Sequence, residues 1–197
     1  MRLDFTTALL QSRPLANTMI FLETERLLFR SHEPQDEEEF VKMHTDAEVR
    51  RYVGNRAWPV EEALRRFRNG YLERPNETYG LWATILKEEQ KYLGACGLAF
   101  PPNQPAPALG YYIARPYWGR GLASEASLAF LGVGFGRLGL PRILADVEKG
   151  HGASEHILQK FGFQFVSQEE FPATGRVICL YQLLRKDWEA NKARSSD

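Results

Sequence analysis

Strand-like and helix-like patterns of hydrophobic and polar positions alternate along most of the chain. Apolar runs bounded by charged residues, glycine or proline predict seven strands, at 26–30, 79–86, 92–100, 109–114, 143–147, 163–166 and 177–184. Apolar residues recur at helical spacing in four other segments, at 34–44, 59–70, 122–133 and 153–161. The pattern therefore predicts one α+β domain with a sheet of about seven strands and about four helices.

These patterns also suggest where the domain begins and ends. Met19 directly precedes the first convincing strand pattern, so residues 1–18 are expected to be an N-terminal extension or the result of a misassigned start. Residues 19–190 are expected to form the domain, and residues 191–197 a frayed polar tail.

The amino-acid composition limits the classes of binding partner and the cellular location that we expect. Twenty-five basic residues balance twenty-five acidic ones, which gives no general attraction to nucleic acid or to an anionic membrane. No apolar stretch approaches the roughly 18 residues that cross a bilayer, and no secretion signal is recognisable, so a cytoplasmic protein is expected. Cys96 and Cys179 lie inside apolar runs, which favours buried thiols over a disulfide.

A turn with two glycines carries the first chemical signal. Gly119 and Gly121 lie between a predicted strand and the apolar stripe of the following helix. The first N–H groups of a helix have no intrahelical partner, and the helix dipole is positive there, so main chain alone can hold a phosphate. A tight turn without a ligand is an equally open interpretation of the glycines alone.

Three segments together resemble the GNAT superfamily of N-acetyltransferases. Residues 118–123, Trp-Gly-Arg-Gly-Leu-Ala, resemble its Gln/Arg-x-x-Gly-x-Gly/Ala motif for the pyrophosphate of acetyl-CoA, with Trp118 departing at the first position. Residues 24–30 and 154–163 resemble the opening strand and last helix of the RimJ/RimL-like branch, which contains ribosomal-protein N-terminal acetyltransferases. The resemblance spans about residues 21–188.

The resemblance implies a mixed, mostly antiparallel sheet with a V-shaped splay between the fourth and fifth predicted strands. It also implies acetyl-CoA as co-substrate, no metal, and direct attack by an amine in a ternary complex. The amine would be a protein N-terminus or a small molecule, and a homodimer is open. The thioester oxygen would be polarised by the main-chain N–H of Ile113 or Ala114. The implied cofactor-binding residues are Tyr112, Ile113, Ala114, Trp118, Gly119, Arg120, Gly121, Leu122, Ala123, Ser124 and His151.

The resemblance identifies the proton donor to the departing thiolate less directly. Many family members place a tyrosine where this chain has Leu158, so Ser154 is the candidate catalytic residue, with helix capping as the alternative. His151 replaces the family asparagine. We favour a contact between His151 and the cofactor arm over a role as general base and over no functional role. The general base stays open among Glu33, Glu169 and Glu170.

Several features of the sequence also allow other interpretations. Trp58, Tyr71 and Tyr117 are candidates for an acceptor pocket or for ordinary core. Residues 134–139 form a literal G-x-G-x-x-G, but these glycines end a helix, whereas a dinucleotide site opens one. A CoA-binding module without turnover is the remaining alternative. The four histidines show no metal-ligand spacing, and no Gly-x-Ser-x-Gly elbow occurs.

Overall fold

A computed structural model describes residues 19–54, 56–72, 78–102 and 104–194. The eight strands are β1 Ile20–Glu23, β2 Leu27–Arg30, β3 Gly80–Leu86, β4 Lys91–Ala99, β5 Ala108–Ile113, β6 Arg142–Glu148, β7 Gln164–Phe171 and β8 Arg176–Leu184. The six α-helices are α1 Glu37–Thr45, α2 Ala47–Arg50, α3 Val60–Phe67, α4 Leu122–Gly132, α5 Gly152–Phe161 and α6 Arg185–Arg194. The architecture is therefore α+β, as predicted.

All eight strands form one mixed sheet in the order β1-β2-β3-β4-β5-β6-β8-β7. Neighbouring strands are antiparallel except β5 and β6, which are parallel. One face packs on α4 and α5 in the larger hydrophobic core, and the other packs on α1 and α3 in a smaller one. Residues 92–98 of β4 are all buried because helices cover both faces.

The sheet splays open between β5 and β6. Their only paired residues in the described chain are Ala108 and Leu144, next to a 2.9 Å hydrogen bond from the Leu144 N–H to the Pro107 carbonyl. Beyond this point the two strands diverge, which confirms the predicted V-shaped gap. It lies between the fifth and sixth strands because the sheet has one strand more than predicted.

Some elements were missed or misjudged. The sequence pattern did not predict β1, α2 or α6, and α6 extends to Arg194, where we expected a polar tail. Gly70 was expected to end a helix, but the chain continues through it in a π-helical turn, Arg68–Leu72. Residues 1–18 and 195–197, the expected extension and the end of the tail, lie outside the described residues.

Other predicted boundaries and environments are confirmed. The helical segment that begins with α4 ends in a π-helical turn at Arg137, before Gly139 and Pro141. The glycines of the G-x-G-x-x-G therefore close a helix, and a Cβ at Gly134 would lie 2.5 Å from the Ile143 side chain. Cys96 and Cys179 are buried free thiols.

Candidate active site

The start of α4 is open to an anion. Gly119 and Gly121 both have φ of +74°, a left-handed conformation that other residues rarely adopt. Gly121 is the N-cap residue of α4 and no side chain caps the helix. A Cβ at Gly119 would meet nothing within 4 Å, and one at Gly121 would meet only the Arg26 Nη2 at 3.7 Å. The first N–H groups of the helix thus face open space.

Trp118 holds this turn against the end of β5. Its indole N–H donates a 2.6 Å hydrogen bond to the Ile113 carbonyl, across the short 3₁₀ turn Arg115–Tyr117. The rest of the side chain is about half exposed, at 48%. The tryptophan at the first position of the motif therefore orders the turn through its side chain, a role that the sequence did not indicate.

Arg26 and Thr24 neutralise and hold the acidic residue in the first turn of α4. Glu125 accepts hydrogen bonds from the Thr24 hydroxyl at 2.6 Å, the Arg26 N–H at 3.0 Å and the Arg26 Nε at 2.6 Å. Burial alone would raise the pKa of Glu125, but these hydrogen bonds lower it. Arg26 Nη1 also donates to the Arg120 carbonyl at 2.9 Å, so one side chain ties β2 to the turn.

The gap between β5 and β6 contains a cavity of about 250 Å³. Both strands, α5 and the segment after α2 line it, including Tyr111, Tyr112, Val147, His151, Ser154 and Leu158. Tyr112 and His151, two of the cofactor-binding residues that the resemblance implies, are among the residues that line it.

Main-chain directions along β5 decide which groups face this gap. The Ala114 N–H donates to the Leu93 carbonyl at 2.8 Å, so it points toward β4 and is occupied. Hydrogen bonds alternate along an antiparallel pair, so the main-chain groups of Ile113 and Tyr111 point away from β4, into the gap. Of the two predicted polarising donors, Ile113 is the one whose N–H lies on the gap side of β5, although Ile113 is not among the residues that line the cavity.

Ser154 lies at the wall of the cleft in contact with a tyrosine that the sequence analysis missed. The Tyr111 hydroxyl donates to the Ser154 Oγ at 3.2 Å. Burial raises the pKa of Tyr111 to about 12, while the hydrogen bond to Ser154 acts in the opposite direction. Ser154 makes no capping hydrogen bond to α5, whose N-cap residue is His151. Leu158 is buried in the core at 1% exposure.

His151 lines the same cleft from the start of α5. Its ring stacks on Tyr52 with centroids 4.4 Å apart and an interplanar angle of 9°. Burial lowers the pKa of His151, although Glu155 and Glu148 act in the opposite direction. A neutral, stacked imidazole at this point can donate or accept a hydrogen bond, which suits a contact role.

A second, larger cavity of about 750 Å³ lies between the sheet and the segments around α2 and α3. It shares Val53 and Tyr112 with the cleft, so the two cavities meet there. Its other lining residues include Ser31, His32, Arg50, Trp58, Arg65, Arg66, Asn69 and Tyr71. The cleft thus has beside it, next to β5, a space large enough for a separate small ligand.

Other candidate residues lie elsewhere. Glu169 and Glu170 are exposed on β7 and line neither cavity. Glu33 is buried beside Arg30, with an ion-pair distance of 3.5 Å. Trp58 and Tyr71 do line the larger cavity, whereas the Tyr117 hydroxyl donates to Glu89 at 2.9 Å in the region of the turn.

The described residues were also compared with the requirements of a metal site and of a membrane-spanning helix, and they meet neither. They contain no cluster of three or more His, Cys, Asp or Glu side chains able to hold a metal ion. Within the same ranges, no helix has the length and apolar character needed to span a bilayer.

Comparison with known proteins agrees with this geometry. The family model described as "Acetyltransferase (GNAT) domain" matches residues 26–164, more than half of the chain. The uncharacterised N-acetyltransferase p20 of Bacillus licheniformis is 29% identical over 176 residues, covering 85% of this chain and 97% of the relative. The uncharacterised N-acetyltransferase YoaA of Bacillus subtilis is 32% identical over 146 residues, covering 73% and 82%.

Solved structures agree at the level of the fold. The GNAT-family acetyltransferase from Bacillus anthracis superposes with a TM-score of 0.73 at 24% identity, covering 85% of this chain and 99% of that one. The match to the family model and the similarity to YoaA extend this agreement from fold to family. The chain therefore belongs to the GNAT family of acetyltransferases.

Proposed function

We propose that this protein transfers an acetyl group from acetyl-CoA, the acyl donor of GNAT acetyltransferases, to a primary amine. One observation carries the proposal. An uncapped helix start, opened by Gly119 and Gly121, is followed by a cleft between diverging strands that adjoins a second cavity at Tyr112. This arrangement suits two substrates that meet from opposite sides.

The residues proposed to hold the cofactor act mainly through main chain. The N–H groups of residues 119–124 would bind the pyrophosphate, since they combine unpaired donors with the positive end of the α4 dipole. Ile113 and Tyr111 present main-chain groups to the gap, where a pantetheine arm would lie like an added strand. His151 would contact that arm from the start of α5.

The transfer needs a group that polarises the thioester carbonyl and a proton donor to the leaving sulfur. Acetyl-CoA supplies a thioester whose C–S bond breaks as the C–N bond to the amine forms, and the amine loses its proton to water or solvent buffer. The Ile113 N–H would donate to the thioester oxygen as charge develops on it. The Ser154 hydroxyl would donate to the departing sulfur, supported by the hydrogen bond from Tyr111.

We further propose that the protein falls in the RimJ/RimL-like branch, with a protein N-terminal amine or a small-molecule amine as acceptor. The support is the Thr24 to Arg30 segment, because Thr24 and Arg26 hold Glu125 next to the proposed pyrophosphate site. The relatives p20 and YoaA are both named as acetyltransferases, which does not favour a silent CoA-binding module.

The test is acetyl-CoA-dependent thiol release with a panel of amines that includes N-terminal peptides, polyamines and aminoglycosides. We expect acetyl-CoA to bind and at least one amine to give thiol release and an acetylated product. Binding without release from any amine would support the silent module, and absence of binding would contradict the proposal as a whole.

A further inference from the structure

We infer that the acceptor carries an anionic group, a carboxylate or a phosphate, beside its amine, and that Arg50 binds this group in the larger cavity. The inference rests on the proposed function, because it names the chemical class of the second substrate. It is carried by the charges that line this cavity, and by a comparison between two buried arginines of the chain.

Arg30 shows how this fold satisfies a buried arginine that has a structural role. It is 7% exposed, and its two Nη atoms donate to the two carboxylate oxygens of Asp36, each at 2.7 Å. Burial alone would lower the pKa of Arg30, but the hydrogen bond and charge of Asp36 raise it. The guanidinium is therefore neutralised within the protein.

Arg50 is equally buried, at 5% exposure, but no carboxylate pairs with it in the described part of the chain. Its Nε donates a 3.4 Å hydrogen bond to the Arg56 carbonyl, and its guanidinium lies 4.1 Å from the centre of the Trp58 ring. Burial lowers its pKa. The charge of Glu62 acts to raise this pKa, but Glu62 already pairs with Arg56 and Arg66. Arg50 therefore has no carboxylate of its own among the described residues. A buried charge without its own partner is costly, and an anionic ligand in the cavity would supply one.

The backbone makes room for this guanidinium. Gly54 has φ of +82°, and a Cβ at that position would lie 2.9 Å from the Arg50 Nη2. Arg50 and Gly54 both line the larger cavity. A glycine thus lets the end of the Arg50 side chain lie at the cavity wall.

The rest of the cavity wall has the same sign of charge. Arg65 and Arg66 also line it, and none of its described lining residues is Asp or Glu. Arg66 lies 4.5 Å from the Trp58 ring centre and pairs with Glu62 at 2.9 Å, outside the lining set. Because Glu62 also pairs with Arg56, this one carboxylate is shared between two arginines beside the cavity.

His32 adds an unsatisfied polar atom to the same cavity. It is 9% exposed, and its Nε2 has no hydrogen-bond partner in the described chain. Burial lowers the pKa of His32 to about 4, so the ring is neutral at neutral pH. His32 lines the cavity, but its Nε2 is closed off from water, so the residue contributes a neutral polar wall and no direct contact with a ligand is assigned to that atom.

The cationic wall also favours the reactive form of the amine. The charges of Arg50 and Arg66 reach Tyr112, where they oppose the burial that raises its pKa. Tyr112 lies where the two cavities meet. The same field would lower the pKa of an ammonium group held there and increase the fraction of neutral, nucleophilic amine.

The first test compares acceptors on the wild-type protein. Alanyl-glutamate amide and alanyl-glutamine amide share the same N-terminal amine and differ in one charge, and free alanine and alaninamide form the corresponding pair for small molecules. We expect kcat/KM to be about 10- to 100-fold higher for the charged member of one pair. This factor corresponds to the free energy that a hydrogen bond to a charged group contributes. The pair that discriminates identifies the source, a peptide or a free amino acid.

The second test uses variants of the full chain. Arg50→Gln is expected to remove that preference while the dissociation constant of acetyl-CoA stays unchanged, and Arg50→Lys is expected to keep part of it. Arg142→Gln is the matched control, because Arg142 begins β6 and lines neither cavity. Thermal melting checks that each variant is folded, and if Arg50→Gln is not, the wild-type comparison still decides.

The outcomes separate the two claims. One outcome is that acetyl-CoA binds and amines are acetylated, while neutral or polycationic acceptors react as well as acceptors with an anionic group. In that case the inference is wrong and the proposed function stands. If Arg50→Gln retains the preference for the acidic member, Arg50 is not the anion-binding residue. If acetyl-CoA does not bind at all, the proposed function itself fails.

Discussion

The phenol of Tyr111 on β5 donates a 3.2 Å hydrogen bond to the Oγ of Ser154 on α5, across the wall of the splayed cleft. Both residues line the cavity of the cleft, so the phenol and the serine hydroxyl lie together at its wall. The family tyrosine position, Leu158, is a buried side chain of the cleft wall with no group that could donate a proton. In the proposed mechanism a tyrosine from the strand therefore supports a serine from the helix.

Removing the Ser154 hydroxyl tests this pair. Ser154→Ala is expected to lower kcat by about 10- to 100-fold, at the lower end of what a positioned proton donor contributes, without changing the dissociation constant of acetyl-CoA. Tyr111→Phe is expected to have a smaller effect in the same direction, because it removes only the supporting hydrogen bond. Steady-state kinetics with the best acceptor and calorimetric titration with acetyl-CoA measure the two quantities.

Ser127→Ala is the control for that experiment. Ser127 is a fully buried serine on α4 whose hydroxyl has no hydrogen-bond partner in the described chain. Its replacement removes the same atom from a helix outside the cleft and should leave kcat unchanged. Equal kcat for wild type and Ser154→Ala would assign Ser154 a packing role only.

Arg26 is predicted to affect cofactor affinity from outside the turn. Arg26→Gln would leave the Glu125 carboxylate uncompensated in the first turn of α4 and would release the Arg120 carbonyl. We expect acetyl-CoA binding about three- to tenfold weaker, a modest loss because this ion pair is partly exposed. Adding Glu125→Gln to Arg26→Gln should restore most of the affinity, since the repelling charge is then absent; a double variant no better than Arg26→Gln would rule out this charge effect.

Two buried histidines predict how stability depends on pH. Burial lowers the pKa of His32 to about 4 and that of His44 to about 3, from an ordinary value of 6.5. Below pH 6.5 the unfolded chain binds protons that the folded chain does not, so the free energy of unfolding falls as the pH drops. The slope approaches about 1.4 kcal/mol per pH unit for each histidine.

Urea unfolding at several pH values between 7 and about 5 measures this slope. His44→Gln should flatten it, because the variant lacks one of the two buried imidazoles. A stability that stays constant over this range in the wild type would contradict the neutral, buried state of both rings.

The elements that position the proposed cofactor site were predictable because their signals are local. Gly119 and Gly121 precede an apolar stripe of helical spacing, and Gly162 ends α5 in the left-handed conformation expected of a helix stop. The missed elements lack such signals. β1 is a four-residue edge strand with exposed Ile20, α2 is a single turn, and α6 has almost no apolar stripe.

The acceptor side of the site was not predictable in the same way. Its lining comes from separated segments of the chain, among them those around His32, Arg50, Arg66 and Tyr112, and no short motif links them. Trp58 was identified only as a candidate for either pocket or core. The contact between Tyr111 and Ser154 joins residues 43 positions apart, so it follows from the fold and from no local pattern.

The most direct test of the account is the affinity of acetyl-CoA for Gly121→Val, measured by calorimetric titration beside wild type and Gly175→Val. Gly175 has φ of +65° in the turn between β7 and β8, so its replacement imposes similar backbone strain away from the site. We predict that Gly121→Val weakens binding by more than about 100-fold, through loss of charged hydrogen bonds, while Gly175→Val binds like wild type. Equal affinity for wild type and a folded Gly121→Val would contradict the claim that the opening of α4 holds the cofactor.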